Sequence, residues 1–355
     1  MADWNPSQTI VFIIGTLKWE DSDSFGSFDS DNRKDEELMK FFLAAGVPDE
    51  HVHYYCDEEA VTKAVTSTIK DDLKYYVSRA QEQDTLFFYY CGHGYGSDDD
   101  GYFFATYDCS ENVKMPMKRV VDTVYRHFRG KTAILMADCC KSGYICNLVN
   151  DYNKSEVNKR LRVAAFGSVY YKKTSTGNWT FSIALLAALK GQPYLEFDDD
   201  GTVTLQELER HIMYDMALFD KQYASSCLPN HMRNWILTCP VKPRKHPRIG
   251  ERILVDWNGV DYMARIEKYR PGEFYVCYFS YASNERSWIS EDEAKPLDIV
   301  HYTPGTRLDI LSDDDGKWYP CRVLTGFCGL HLIKFDDYDD TYNEWATQEQ
   351  LRFRS

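Results

Sequence analysis

No apolar run in this 355-residue sequence approaches the roughly 20 residues that a membrane-spanning helix requires, so no membrane span is expected. A basic leader segment is also missing at the N-terminus, where TIVFIIG reads as a first strand and not as a signal peptide. Cysteine pairs at CxxC spacing are absent, as are histidine and cysteine pairs at zinc-ligand spacing. The 11 cysteines are an odd number, which points to reduced thiols in a cytoplasmic chain with neither a disulfide framework nor a metal site. Basic residues are in deficit, 41 Lys and Arg against 55 Asp and Glu, for a net charge of −14. That balance argues against general nucleic-acid binding and favours basic partners. What is present, 44% hydrophobic and 15% aromatic residues, is the composition of a globular protein with a real core.

Residues 1–240 alternate short apolar runs with amphipathic stretches, the pattern of an α/β sheet covered by helices on both faces. Strands are expected at Thr9–Gly15, Val52–Cys56, Thr85–Cys91, Gly101–Ala105, Thr132–Ala137 and Leu161–Ser168. FIIG, TLFFYY and AILMA are nearly continuous in apolar character, as mostly parallel strands buried on both faces should be. Helices are expected at Asp35–Ala45, Ala60–Gln81, Arg119–His127, Trp179–Leu189 and Leu205–Met216, the last opened by a Thr204/Glu207 capping box.

The stretch CPVKPRKHPR, Cys239 to Arg248, is rich in proline and basic residues and reads as a linker. Beyond it one pattern occurs twice. Tyr262, Arg265, Tyr281 and Trp288 recur 57 positions later as Tyr319, Arg322, Tyr338 and Trp345. Alternating apolar and polar residues with glycine or asparagine turns make each copy a small all-β barrel, at 249–298 and 302–355.

Two strands end in loops that carry chemistry. DTLFFYYCGHGYG places His93 between two glycines, and AILMADCCKSG ends in adjacent thiols beside a glycine turn. Active sites of open α/β sheets collect beyond the carboxyl ends of strands, and a thiol with an imidazole is the minimum for covalent acyl transfer. D-C-C-K-S-G resembles the D-x-C-x-S-G motif of metacaspases and bacterial caspase-like peptidases, and C-G-H-G resembles their S-G-H-G. GNWTFSIALLAALKG is similar to a further segment of that family, and the resemblance covers about residues 8–240. The separation 140 − 93 = 47 suits it.

The resemblance implies a caspase-like cysteine endopeptidase acting on protein substrates. Cys140 would be the nucleophile and His93 the base or ion-pair partner, with the N–H groups of Gly94 and Cys140 as oxyanion donors. Strand alternation agrees that only one of Cys139 and Cys140 faces the cleft. Asp138 implies a pocket for the residue before the scissile bond, joined by a second family aspartate that Asp35 fits best, with Asp31 the other candidate. Two carboxylates there favour Arg or Lys. Lys141 stands where the family usually has histidine, which bears on specificity and not on catalysis. A peptidase selecting acidic residues, and a caspase-like scaffold without turnover, are the rival readings. The chemistry requires no cofactor. Calcium activation stays open, and Glu196–Glu207 superficially fits a calcium loop, although an acidic turn before a capped helix explains the same residues.

The repeats resemble Tudor, agenet or chromo-barrel modules, which implies a protein ligand for the tail. Trp318, Tyr319, Phe335, Tyr338, Tyr342 and Trp345 could supply an aromatic cage, although aromatic residues in so small a barrel are more often its core.

Overall fold

The structure, a computed structural model, describes residues 3–58, 62–155, 157–195, 198, 200–279, 285–312, 315–339 and 342–354. By contacts the chain divides into two compact units, 1–212 with 224–243, and 213–223 with 244–355.

The first unit is built on strands β1 (Thr9–Gly15), β2 (Val52–Cys56), β3 (Thr62–Lys63), β4 (Thr85–Cys91), β5 (Gly94–Ser97), β6 (Gly101–Phe104), β7 (Met115–Pro116), β8 (Thr132–Asp138), β9 (Arg162–Gly167), β10 (Val203–Thr204), β11 (Ser225–Cys227) and β12 (Ile236–Thr238). Seven form one sheet in the order β11-β9-β8-β4-β1-β2-β3, parallel except at the β11 edge. Strands β5, β6 and β7 form a separate small sheet beyond the end of β4, and β10 pairs with β12.

Helices α1 (Lys34–Ala44), α2 (Thr66–Val77), α3 (Met117–His127), α4 (Gly143–Lys154), α5 (Thr180–Leu189) and α6 (Leu205–Asp220) complete the set. Strand alternation sorts the core between two faces. Ile10, Phe12, Ile14, Leu86, Phe88, Tyr90, Leu135, Ala137 and Cys139 join buried residues of α2, α3 and α4. The intervening residues include Phe87, which meets Phe42 of α1 at 5.1 Å between ring centroids. Helices therefore cover both faces, which is why the central strands are apolar throughout.

The helix expected from Ala60 begins at Thr66, because Thr62–Lys63 pairs with Tyr55–Cys56 as an edge strand. Helix α4 and the short strands β5, β7, β10, β11 and β12 are additional to the expected elements. Thr204 and Glu207 exchange the expected capping bonds at 2.8 and 3.2 Å. Glu196, Phe197 and Asp199 lie outside the described residues, so the candidate calcium loop is described only in part.

In the second unit, β13 (Arg252–Trp257), β14 (Val260–Arg270), β15 (Glu273–Tyr278), β16 (Arg286–Ser290) and β17 (Ala294–Pro296) form an antiparallel sheet in the order β16-β15-β14-β13-β17. The same order recurs as β21-β20-β19-β18-β22, from β18 (Arg307–Leu311), β19 (Trp318–Phe327), β20 (Leu330–Phe335), β21 (Glu344–Thr347) and β22 (Leu351–Phe353). The repeat is structural in detail. Each sheet has a register shift, at Ile266/Lys268 and at Val323/Thr325, and the 3₁₀ turn after each fourth strand carries a capping box, Ser290 with Glu293 and Thr347 with Gln350. All four positions of the first copy map onto the second by the 57-residue offset. Residues 213–223 belong to this unit: Tyr214, Leu218 and Phe219 cluster with Cys277 and Phe279, and buried Asp215 pairs with Arg265.

Candidate active site

Strands β4 and β8 are neighbours in register, with Cys91 opposite Asp138, so the loops that follow them start side by side. Gly92 N–H reaches the Asp138 carbonyl at 3.4 Å. Gly94 lies so close to the backbone of Cys140 that a Cβ there would overlap the Cys140 carbonyl, which only glycine avoids. Topology thus brings the His93 and Cys140 loops together.

The two thiols at the end of β8 have opposite surroundings. Cys139 is buried in the α2–α4 face, where burial, reinforced by the negative potential of its neighbours, pushes its thiol far up. Cys140 is half-exposed, and its Sγ accepts the Ser175 N–H at 3.2 Å. Lys141, next in line, has φ of +64°, a left-handed conformation costly for a residue with a Cβ, and it is held by a bond from its N–H to the Lys173 carbonyl at 3.1 Å. Its ammonium donates to the Lys172 carbonyl at 2.8 Å.

His93 is held by aromatic residues that the sequence reading had not singled out. Trp19 and Phe28 lie 4.5 Å from its ring and Phe25 5.9 Å. Its Nε2 bonds the Gly26 carbonyl at 2.8 Å, and its own carbonyl accepts Tyr90 O–H at 2.7 Å and Ala105 N–H at 2.9 Å. The signal in the sequence was three aromatics within the polar stretch Trp19–Phe28. His93 and Cys140 are therefore each engaged by backbone of another loop and not by one another.

Asp138 lies on the other face of the sheet from Cys139. Its Oδ2 accepts Ser182 Oγ of α5 at 2.6 Å, and Ser182 also bonds Tyr89 O–H at 2.5 Å. Asp35, in the first turn of α1, is fully buried. Arg33 donates to it from Nε at 3.2 Å and Nη2 at 2.8 Å, and Tyr54 O–H donates at 2.9 Å. Asp31 is exposed, with its N–H bonded to Asp29. Burial first, and then the charges of Asp35 and Asp138, push the Cys91 thiol well up, which places both carboxylates around one residue.

In the tail, Tyr319, Phe335, Tyr338 and Tyr342 form a connected aromatic set with centroid separations of 6.4, 5.7 and 5.1 Å. Tyr338 and Tyr342 are exposed. Trp318 is not linked into that set but lies under the Arg352 guanidinium at 3.8 Å, and Trp345 packs on Phe327 at 5.4 Å. Among the described residues no group of three or more metal-ligating side chains is assembled, and no helix is long and apolar enough to cross a membrane.

A model of the metacaspase peptidase C14 domain matches residues 32–149. The matched stretch contains Arg33, Asp35, His93, Asp138 and Cys140, and it supports a caspase-like peptidase acting on protein substrates. No curated protein matches the chain. Among solved structures, protein GSU0716 from Geobacter sulfurreducens is similar at a TM-score of 0.43 and 12% identity, over 66% of this chain and 100% of that one. That likeness is too slight to bear on function.

Proposed function

We propose that the chain is a cysteine endopeptidase in which Cys140 attacks the scissile carbonyl and His93 serves as base and acid. The observation that carries the reading is the contrast between the two thiols: Cys139 is sealed in the core, whereas Cys140 is half-exposed beside the His93 loop. The Cys140 thiolate forms the C–S bond, and His93 gives a proton to the departing amine. Water, deprotonated by His93, then releases the acid and restores the thiol. The N–H groups of Gly94 and Cys140 would receive the negative oxygen of the intermediate.

Cleavage after Arg or Lys was expected from Asp138 and Asp35 together, and the engagement of Asp35 by Arg33 bears directly on it. Cleavage after acidic residues would need a cation in the pocket, where Lys141 is the candidate, its ammonium giving one of its three N–H bonds to the Lys172 carbonyl. A resting form favours attention as a second reading, because the Gly26 carbonyl holds His93 and the Ser175 N–H holds Cys140. In that reading the loops must open before turnover. We further propose that the tail recognises a protein ligand through the exposed Tyr338 and Tyr342, with no role in the chemistry.

A positional peptide library settles activity. Wild type with and without calcium should be compared with Cys140→Ala and His93→Ala, the latter expected to lose about 10²–10⁴-fold in turnover. Turnover that survives in Cys140→Ala would overturn the assignment.

A further inference from the structure

Arg33 precedes α1 and turns its guanidinium back under the end of β1. Its Nε and Nη2 meet both oxygens of Asp35 at 3.2 and 2.8 Å. Its Nη1 meets Asp57 Oδ1 at 2.8 Å, and Nη2 also donates to the Gly15 carbonyl at 2.8 Å. Glu58 Oε1, on an exposed side chain, lies 3.7 Å from Nη1 as a longer ion-pair contact. This is the two-pronged grip by which a carboxylate site recognises an arginine side chain.

The cluster is sealed, with side-chain exposures of 3% for Arg33, 0% for Asp35 and 2% for Asp57. No substrate cation reaches Asp35 unless Arg33 leaves. The cluster also adjoins the catalytic loops. Gly15, which bonds Arg33, is opposite Cys91 across β1 and β4, and Cys91 is opposite Asp138 across β4 and β8. Thr16 N–H donates to the Cys91 carbonyl at 3.0 Å, which ties the Arg33 end of β1 to the start of the His93 loop. With four N–H groups donating to Asp35, Asp57 and the Gly15 carbonyl, the Arg33 guanidinium is committed inside the cluster and not to an acidic substrate side chain.

We propose that Arg33 is a specificity-determining residue, an internal guanidinium that occupies the acidic subsite of Asp35 in place of a substrate arginine. The wild-type enzyme then does not select Arg or Lys through Asp35 and accepts neutral side chains before the scissile bond. Removing Arg33 opens a guanidinium-sized space between Asp35, Asp57 and the Gly15 carbonyl. The inference rests on Cys140 and His93 forming a peptidase centre, but its test has a readout independent of turnover.

That readout is the binding of agmatine, a small guanidinium compound, to the full-length chain by calorimetry. Arg33→Ala should bind it at least about tenfold more tightly than wild type, as expected for restored charge-assisted hydrogen bonds. In the peptide library, the preference of Arg33→Ala for Arg over Gln should rise about 10–100-fold above that of wild type. Arg33→Ala leaves two buried carboxylates unpaired, so Arg33→Ala/Asp57→Asn is tested beside it, keeping Asp35 as the single anion. Folded variants that bind agmatine no better than wild type overturn the proposal. So does a wild-type preference for Arg or Lys that weakens when Arg33 is removed, and so does failure of both variants to fold even with agmatine present. If nothing turns over but agmatine binding appears, the peptidase reading fails and the subsite stands.

Discussion

Cys139 and Cys140 are one peptide bond apart, yet the sheet gives them different chemistry. Cys139 belongs to the same alternation as Leu135 and Ala137 and packs against α2, α3 and α4, where its thiolate is disfavoured. Cys140 lies beyond the strand, half-exposed, with its Sγ accepting the Ser175 N–H. Iodoacetamide at neutral pH should therefore alkylate Cys140 in the native protein and leave Cys139 unmodified until unfolding. Peptide mapping by mass spectrometry checks this, and equal labelling of both would remove the basis for choosing Cys140. Cys139→Ala should keep most activity on peptides, at a stability cost of about 1–2 kcal/mol for a small buried side chain. His93 is governed by its ring neighbours. Phe28→Ala removes one wall of its aromatic surround and frees the imidazole to turn toward Cys140, so alkylation of Cys140 should become faster. An unchanged rate would argue against a resting form held by these rings.

At the scale of elements, the second repeat contains a histidine whose protonation the fold resists. His331 of β20 is fully buried, and its Nε2 accepts the Tyr302 N–H at 3.0 Å, a bond available only to the neutral ring. Burial, with His301 and Arg252 adding repulsion, pulls its pKa down to about 4 from 6.5. The unfolded chain binds a proton below 6.5 while the folded chain does not. The contribution of His331 is thus fully present above pH 6.5 and is lost as pH falls toward 4. Thermal melts of wild type should show the tail transition falling over that window. His331→Gln, which keeps an acceptor for Tyr302 but does not titrate, should flatten its share of the decline. Parallel curves for the two proteins would refute this account. Elements of this kind differ in how plainly the sequence announces them. Strands β1 and β4 have the bounds read from their apolar runs, because a strand buried on both faces writes its length in composition. Strands β3 and β11 are two and three residues long and exist through pairing alone, which no local pattern records. Helix α4 starts in the glycine turn that follows Cys140 and has no side-chain cap, so its first turn reads as loop. The proximity of the Cys140 and His93 loops was legible because both follow the carboxyl ends of neighbouring apolar strands. The pairing of Arg33 with Asp35 was not, since two residues so close in sequence meet only because the chain turns back into α1.

At the scale of the whole molecule, one boundary between the compact units falls inside the proline-rich linker, at Pro243–Arg244, and residues 213–223 go with 244–355. Asp215 is buried with Arg265, and Arg265 continues to Glu267 at 3.1 Å, which Arg286 meets at 2.9 Å. Tyr223 adds a bond to Gln350 at 2.8 Å. The segment thus joins both repeats of the tail while remaining covalently attached to the peptidase side of the linker. A protease site engineered at Pro243–Arg244 should therefore yield two pieces that stay together, because the N-terminal piece carries 213–223 and the C-terminal piece carries its partners. Wild-type sequence cut in this way should elute from size exclusion at the mass of the intact chain. Asp215→Ala strands Arg265 beside Glu267 and Arg286, and losing one member of such a buried group costs about 3–5 kcal/mol. Phe219→Ala removes a ring lying 4.8 Å from Phe279, at a similar cost of about 3–5 kcal/mol. Either substitution should shift the cut protein toward separate peaks while leaving the uncut chain monodisperse, since the linker otherwise holds the halves at high local concentration. A cut wild type that separates at once would show that 213–223 contributes no lasting hold. In that case a chain ending near Pro240 should behave as a complete peptidase. If the pieces stay together, the same truncation exposes Tyr214, Leu218 and Phe219, and it should aggregate unless those three positions are made polar.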